Sequence, residues 1–475
     1  MAATPVTRYR AAWVLPVSAP PIREGTLLVG DDGRILALGG AASIPAGDAV
    51  RDVDLGEAAL LPGLVNVHAH PELAAYRGLL DDLPFDRWIP ALNAAKRLAA
   101  LPDSAWLDAA RWTCVEALAA GITTMGATEA TGAAVVAFGE AGVRGVVYRE
   151  VFGPDPGMAE KELAGLIAAL ALLREQETDL VRVGISPHAP YTISDPLYRL
   201  TARLALDEDL PVAVHAAEGE VEVLLVREGE GRFAEALRRR GIDTPPRARS
   251  TIALLERTGI LATRPLLVHC VRVDAEDILL MAERGASVAH CPVANAILGH
   301  GIAPIMEMRA AGVSVGLGTD SVASNNRLDL LEEARAAQLF QRARIGSGTV
   351  LANEEALRLA TLDGARALGL DGRVGSLEPG KDADLCAVSL AGAHVVPVHD
   401  PLAALLHAAR GSDVVLTVVR GRELYRAGRH LTLEAAAVRG RVQQAADALR
   451  AARDDWRTMG SPPPFELRPT SGGGE

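Results

Sequence analysis

Two histidines separated by one residue, His68 and His70 in the run LVNVHAH, are the first side chains here that could do chemistry. The run reads as a β-strand, whose period-2 alternation points both imidazoles to one face, near enough to share an ion. Alone, such a pair is more often two polar residues at a strand end. Further along, the apolar runs ending in VHAAE, VHC, AHC and GTD supply His215, Glu218, His269, His290 and Asp320. An H-x-H pair, a further histidine and a carboxylate form a nitrogen and oxygen donor set suited to zinc, iron or manganese, with room left for water. An ion held there lowers the pKa of that water toward neutrality and makes hydroxide available. Glu218, three residues past His215, can lean over the same face as the chain turns toward a helix. To donate a proton it needs a raised pKa, which a dry site supplies. Glu220 and Glu222 read instead as solvated carboxylates of a first helical turn.

These residues need a scaffold that brings several strand ends to one place. Between Leu64 and Ser321, short β-rich apolar runs alternate with longer Ala/Leu/Arg/Glu segments, the pattern of a parallel sheet wrapped by crossover helices. Eight runs are legible: LVNVHAH, GITTMGAT, RGVVYREVF, VRVGISPHA, PVAVHAAE, PLLVHCV, ASVAHCPV and SVGLGTDS. Each is continuously apolar before it turns polar, as a strand buried on both faces should be. The reading is an α/β protein, a (β/α)8 TIM barrel, whose active residues come from the carboxyl ends of different strands. PDSAWLDAARWTCVEALAAG supplies one crossover helix, with Asp103 or Ser104 as N-cap and Gly121 as the stop. Outside the barrel, the DDGR hairpin signal near the start and the runs KDADLCAVSL and VVLTVVRGRELYRAG near the end read as strands of one small discontinuous β-sandwich. The expected division is residues 1–62 and 369–432 for the two parts of the sandwich, 63–368 for the barrel, 433–458 for a C-terminal helix and 459–475 for a flexible tail.

Composition narrows the function. Apolar residues make up 49% and charged residues 23% of the 475, ordinary globular usage. A net charge of −12 argues against nucleic acid, whose phosphates require basic patches. Four cysteines without a C-x-x-C pair fit a reducing cytosol, and neither a signal peptide nor a membrane span is legible. A small molecule is the expected partner.

PGLVNVHAH, VHAAE, LLVHC, AHCPVAN with GHGIAPI, GLGTDSVASNN and GSLEPGKDADL together resemble the amidohydrolase superfamily over nearly the whole chain. The resemblance is to the branch joining cytosine, guanine, S-adenosylhomocysteine and aminodeoxyfutalosine deaminases to triazine chlorohydrolases. It implies a cytoplasmic metal-dependent deaminase with one divalent ion, zinc first and iron or manganese as alternatives, held by His68, His70, His215 and Asp320. It also implies Glu218 as proton donor to a ring nitrogen, His269 polarising the hydroxide or leaving group, and Asp320 accepting a proton. Some members bridge two metals with a carboxylated lysine after strand four. Here that strand ends in SPHAP, and the lysines, Lys96, Lys161 and Lys381, lie off the barrel strands, so one ion per chain is expected. Relatives commonly self-associate, so a homo-oligomer is a further expectation.

The segment Pro71 to Ala100, carrying Tyr76, Arg77, Phe85 and Trp88, should close over the ion as one pocket wall. His188 and Arg149 match positions that contact substrate in nucleoside-type relatives, and His290 reads as a substrate contact or a support. S-adenosylhomocysteine-type relatives present a glutamate to the ribose from this first long loop, whereas IPALNAAKRL carries none. Arg247 and Arg249 read as a solvated turn or, less favoured, as a basic wall for a substrate carboxylate. The leading reaction is hydrolytic deamination of an amino-substituted nitrogen heterocycle, a purine base or adenosine-type nucleoside such as aminodeoxyfutalosine. The alternatives are a triazine-type chlorohydrolase and, remotely, a non-catalytic binding barrel.

Overall fold

A computed structural model describes residues 6–44 and 50–458 of the chain. The tail expected at 459–475 lies outside the described residues. Five strands come first: β1 (Val6–Val14), β2 (Ile22–Val29), β3 (Ile35–Gly40), β4 (Val50–Asp54) and β5 (Ala58–Pro62). Eight parallel strands follow: β6 (Leu64–Ala69), β7 (Ile122–Glu129), β8 (Arg144–Val151), β9 (Val181–Pro187), β10 (Ala213–Ala216), β11 (Leu266–His269), β12 (Ser287–His290) and β13 (Ser314–Leu317). Each coincides with one of the eight apolar runs, β7 alone extending one residue past its run to Glu129. They are almost wholly buried because the sheet is covered by helices outside and packed with side chains inside.

The eight strands form two four-stranded sheets in sequence order, β6 to β9 and β10 to β13. Hydrogen bonds cross both seams. Ile185 N donates to Pro211 O at 2.9 Å and His215 N to His188 O at 2.9 Å, while Asp320 N donates to His68 O at 2.9 Å. The result is a TIM-barrel-like α/β fold in which the last strand returns to the first. Alternation sorts the side chains of β8: Val146 and Tyr148 pack inward with Val65, Val67, Val268 and Ala289, whereas Val147 and Val151 join the outer layer.

The two chain ends share one sheet. β14 (Leu385–Ser389) pairs antiparallel with β5, matching Leu385 to Pro62, and continues through β15 (Val414–Val419), β16 (Arg422–Arg426) and β17 (Arg429–His430). On the other side β5 meets β1, which leads to β2 and β3, with β4 also pairing with β1. Tyr9, Leu27, Val29, Leu60, Leu385, Leu416 and Val418 form its own core.

Three helices bear on the site. α1 (Phe85–Ala99) and α2 (Asp103–Ala119) follow the first barrel strand, and α3 (Ala435–Thr458) packs against both. Helix α2 starts at Asp103, but Pro102 occupies the N-cap position and no side chain caps it, contrary to the expected Asp103 or Ser104 cap. Gly121 does follow the helix, at φ +77, a conformation that disfavours side chains. Val438, Val442 and Leu449 of α3 share a core with Trp88 and Leu92 of α1, and Arg441 donates to Asp108 of α2 at 2.7 and 2.9 Å. The end of the chain thereby braces the wall of the cleft.

Arg144, at the start of β8, is 1% exposed and donates to Asp384 at 2.8 and 3.1 Å and to Asp382 at 2.8 Å. It joins the barrel strands to the KDADL run of the terminal sheet. Removing it leaves Asp384 charged and dry without its guanidinium, while Asp382 keeps Arg373. Arg144→Ala is expected to lower the unfolding free energy by about 3–5 kcal/mol, read by urea denaturation.

Candidate active site and metal centre

The strand ends deliver the chemistry. His68 and His70 leave β6, His215 and Glu218 follow β10, His269 ends β11 and Asp320 follows β13. Three of the connecting residues sit in the left-handed backbone region despite bearing side chains: Ala217 at φ 51, His269 at φ 75 and Asp320 at φ 59. Such conformations persist only where surrounding contacts over-determine them. Here they turn the chain sharply as each strand ends at the cluster.

His68 Nε2 is 3.4 Å and His70 Nε2 is 3.6 Å from Asp320 Oδ1. His68, His70 and Asp320 form one group whose donor atoms all lie within 4.8 Å of one another, and His68, His215 and His269 form a second. Both ring nitrogens of His68 are buried without a hydrogen-bond partner. His215 Nδ1 donates to the carbonyl of His188 at 3.3 Å, which fixes its tautomer and leaves Nε2 as a lone-pair donor. Burial holds His70 and His215 well below the ordinary histidine range, so both are neutral, as metal binding requires. For Asp320, burial acts to raise the pKa, but the close approach of His68, with His269 and His70, holds it well below the carboxylate range. Ser321 N and Ser324 Oγ donate to its oxygens at 2.7 and 2.9 Å. Orphaned nitrogens converging on an ionised carboxylate are a donor set that fits a divalent cation.

Glu218 is 3% exposed, with Oε1 3.4 Å from His269 Nε2 and 3.2 Å from His300 Nε2, and Tyr191 OH donates to Oε2 at 3.3 Å. The sequence-based expectation of a raised pKa is not met. Burial acts upward, but His269 and His300 outweigh it and hold the carboxyl below its ordinary range. Glu218 is therefore a carboxylate that must collect a proton before it can give one. His269 Nδ1 donates to Asn295 Oδ1 at 2.9 Å, which turns Nε2 toward Glu218.

Glu222 corrects a second expectation. Glu220 is exposed as foreseen, but Glu222 is fully buried, and burial raises its pKa to about 7. Its oxygens accept from Ala217 N at 2.7 Å, Glu218 N at 3.2 Å and the Thr251 hydroxyl, pinning the backbone that carries Glu218. The helix begins at Glu220, so Glu222 turns back toward the strand end.

The cleft over this cluster holds a cavity of ≈ 90 Å³. Trp88 and Phe85 of α1 line it, as does His188, whose Nδ1 is 2.8 Å from Thr192 Oγ1. Tyr76 is buried against Trp106, and Arg77 turns away to pair with Glu116. Arg149 does not line the cleft, because alternation along β8 sends it outward and Glu150 inward. His290, 1% exposed, does not line it either, and burial beside His269 lowers its pKa to about 3. The basic wall is also absent. Arg247 bonds Asp195 and the carbonyls of Pro190 and Ile193, and Arg249 pairs with Asp274, Glu276 and Asp277. Sequence reading missed Tyr191, Asn295 and His300 as partners of Glu218 and His269. The strings AHCPVAN and GHGIAPI contain two of them, Asn295 and His300, but neither lies at a strand end, the position that marks the other cluster residues.

The amidohydrolase family model matches residues 59–424. The chain belongs to the amidohydrolase family. It is 34% identical over 444 residues to 5-methylthioadenosine/S-adenosylhomocysteine deaminase of Moorella thermoacetica, covering 90% of this chain and 96% of the relative. Identity is also 34%, over 433 residues, with 5'-deoxyadenosine deaminase of Methanothermobacter thermautotrophicus, covering 88% and 93%. The crystal structure of an adenosine deaminase from Xanthomonas campestris with bound zinc superposes with a TM-score of 0.83 at 29% identity, over 94% of this chain and 98% of that one. The protein is thus a hydrolase acting on carbon–nitrogen bonds other than peptide bonds, with a metal site among its strand-end histidines and aspartate. Among the described residues no helix is long and apolar enough to cross a membrane.

Two outcomes test this geometry. Asp320→Asn is expected to leave only trace zinc after loading and dialysis, measured by elemental analysis, where the unaltered chain retains it. Glu222→Ala leaves two buried amides and a hydroxyl without their acceptor, so it is expected to destabilise the fold by about 2 kcal/mol in urea denaturation.

Proposed function

We propose that this chain is a metal-dependent hydrolytic deaminase of 6-aminopurine nucleosides, with one zinc ion per chain held by His68, His70, His215 and Asp320. The observation that carries the reading is Glu218, a buried carboxylate beside two histidines and a tyrosine at the edge of the metal-binding cluster, lining the same cleft as His70, His215 and Asp320. The relatives support the substrate class, since methylthioadenosine, S-adenosylhomocysteine, 5'-deoxyadenosine and adenosine share the adenine and pentose and differ in the 5' substituent. Aminodeoxyfutalosine loses the support that Arg247 and Arg249 would have given, because both are engaged elsewhere.

His269 is read as a proton partner rather than a ligand, because its inward nitrogen already faces Glu218. A divalent ion held by His68, His70, His215 and Asp320 would polarise a water and lower its pKa toward neutrality. Glu218 takes a proton from the attacking water and passes it to a ring nitrogen, which makes the ring carbon more electrophilic. His269, held by Asn295, steadies the attacking oxygen, and Asp320 takes its remaining proton. The C6–O bond forms, Asp320 passes its proton to the 6-amino nitrogen, the C6–N bond breaks, and ammonia leaves the 6-oxopurine product, whose ring nitrogen keeps the other proton. Trp88 and His188 flank the base. His290 is assigned a supporting role beneath the cluster, and Arg149 none at the substrate.

The wider assignments stand with this reading. The two seam crossings support a closed (β/α)8 barrel over 63–368, and the shared core of the end strands supports a β-sandwich built from 1–62 and 369–432. A small heterocyclic substrate and a cytosolic setting accord with the acidic charge and the four free buried cysteines.

The zinc-loaded chain is expected to release ammonia from adenosine, 5'-deoxyadenosine or methylthioadenosine, and prior removal of metal with a chelator to abolish this. Glu218→Gln is expected to lower kcat by about 10³-fold, with zinc content retained. Release of chloride but not ammonia from matched chloro- and aminopurines would replace the deaminase reading with the chlorohydrolase one.

A further inference from the structure

The cleft carries a second set of polar atoms that the chemistry above leaves idle. Glu150 continues the inward file of β8, lines the cleft and is 7% exposed. Its Oε1 has no hydrogen-bond partner and stands 3.8 Å from His188 Nε2. Helix α1 lines the same cleft with Trp88, Asn93 and Lys96, and the buried indole Nε1 of Trp88 is also unpartnered. Burial raises the pKa of Glu150 to about 7, and a buried carboxyl oxygen left without a partner is unfavourable unless one arrives with the ligand.

The chemistry of the two walls selects the partner. One wall is an acceptor and the other is rich in donors, so the group between them must donate and accept at once. A hydroxyl does both. Two hydroxyls on adjacent carbons match the two oxygens of one carboxylate while accepting from the facing ammonium and amide. The purine cannot fill this role, because apart from the amino group at the reacting carbon its ring nitrogens N1, N3 and N7 only accept.

We propose that Glu150 is a specificity-determining residue that accepts hydrogen bonds from the vicinal hydroxyls of the substrate's pentose, with Asn93 and Lys96 donating to the same hydroxyl oxygens from α1. This rests on the adenosine-type reading and names the part of the nucleoside that the protein selects. Arg149, its neighbour in sequence, points outward and takes no part.

The test compares adenosine, 2'-deoxyadenosine, 3'-deoxyadenosine and 2',3'-dideoxyadenosine on the zinc-loaded full chain, then on Glu150→Gln and Glu150→Ala. The expected kcat/KM for adenosine exceeds that for the dideoxynucleoside by about 30-fold, with the single deoxy compounds between them. In both variants that ratio is expected to fall to about 3 or less. Because the ratio is internal to each preparation, partial loss of folded protein does not move it, and thermal melting reports the fold separately. Equal kcat/KM on all four compounds in the unaltered chain, or a ratio kept by Glu150→Gln, would overturn the subsite while leaving deamination intact. No ammonia from any of the four would bring down the deaminase reading and the subsite with it.

Discussion

The hydrogen bond from Asp320 N to His68 O joins the end of the last barrel strand to the first, and the same two residues place a carboxylate oxygen 3.4 Å from an imidazole nitrogen. One backbone contact thus carries both the return of the sheet and the assembly of the metal-binding cluster. Asn66 reinforces it, donating to Thr319 Oγ1 at 2.8 Å and accepting from Thr319 N at 3.0 Å. If this seam opened, His68 and His70 would separate from Asp320, and an ionised carboxylate would lose the neighbours that keep it charged in a dry site.

Around that seam the protein tolerates local strain and supports it from behind. Ala217, His269 and Asp320 hold backbone conformations that side chains disfavour, each costing on the order of 1–3 kcal/mol. Each is tied down. Ala217 is fixed by Glu222 and by Arg272 N donating to its carbonyl at 2.8 Å, His269 by Asn295, and Asp320 by Ser321 and Ser324. The supporting groups are buried polar residues whose hydrogen bonds leave little freedom, which is what a site with preset geometry requires.

The cleft wall is built from distant parts of the chain. Helix α1 contributes Trp88, Asn93 and Lys96, and α3, more than 330 residues later, covers its outer side. Arg144 performs the equivalent task at the other end of β8, bonding the terminal sheet to the barrel through Asp382 and Asp384. The terminal segments therefore brace a catalytic domain to which they contribute no strand-end ligand.

The sequence by itself determined the eight strands, because doubly buried strands must be continuously apolar and their functional ends must turn polar. It also determined the residues of the cluster, since His68, His70, His215, Glu218, His269 and Asp320 all lie at or just beyond such ends. Tertiary structure alone decided how those groups are charged and what holds them. Glu218 is held as a carboxylate by His269 and His300, the latter 82 residues away along the chain, and no local pattern encodes that proximity. Glu222 looked like a solvated helix-start residue until Thr251 and two backbone amides were found on it. The exchange of Arg149 for Glu150 is intermediate: alternation from Val146 and Tyr148 encodes it, but which of the two faces is the interior is decided only when the strands meet.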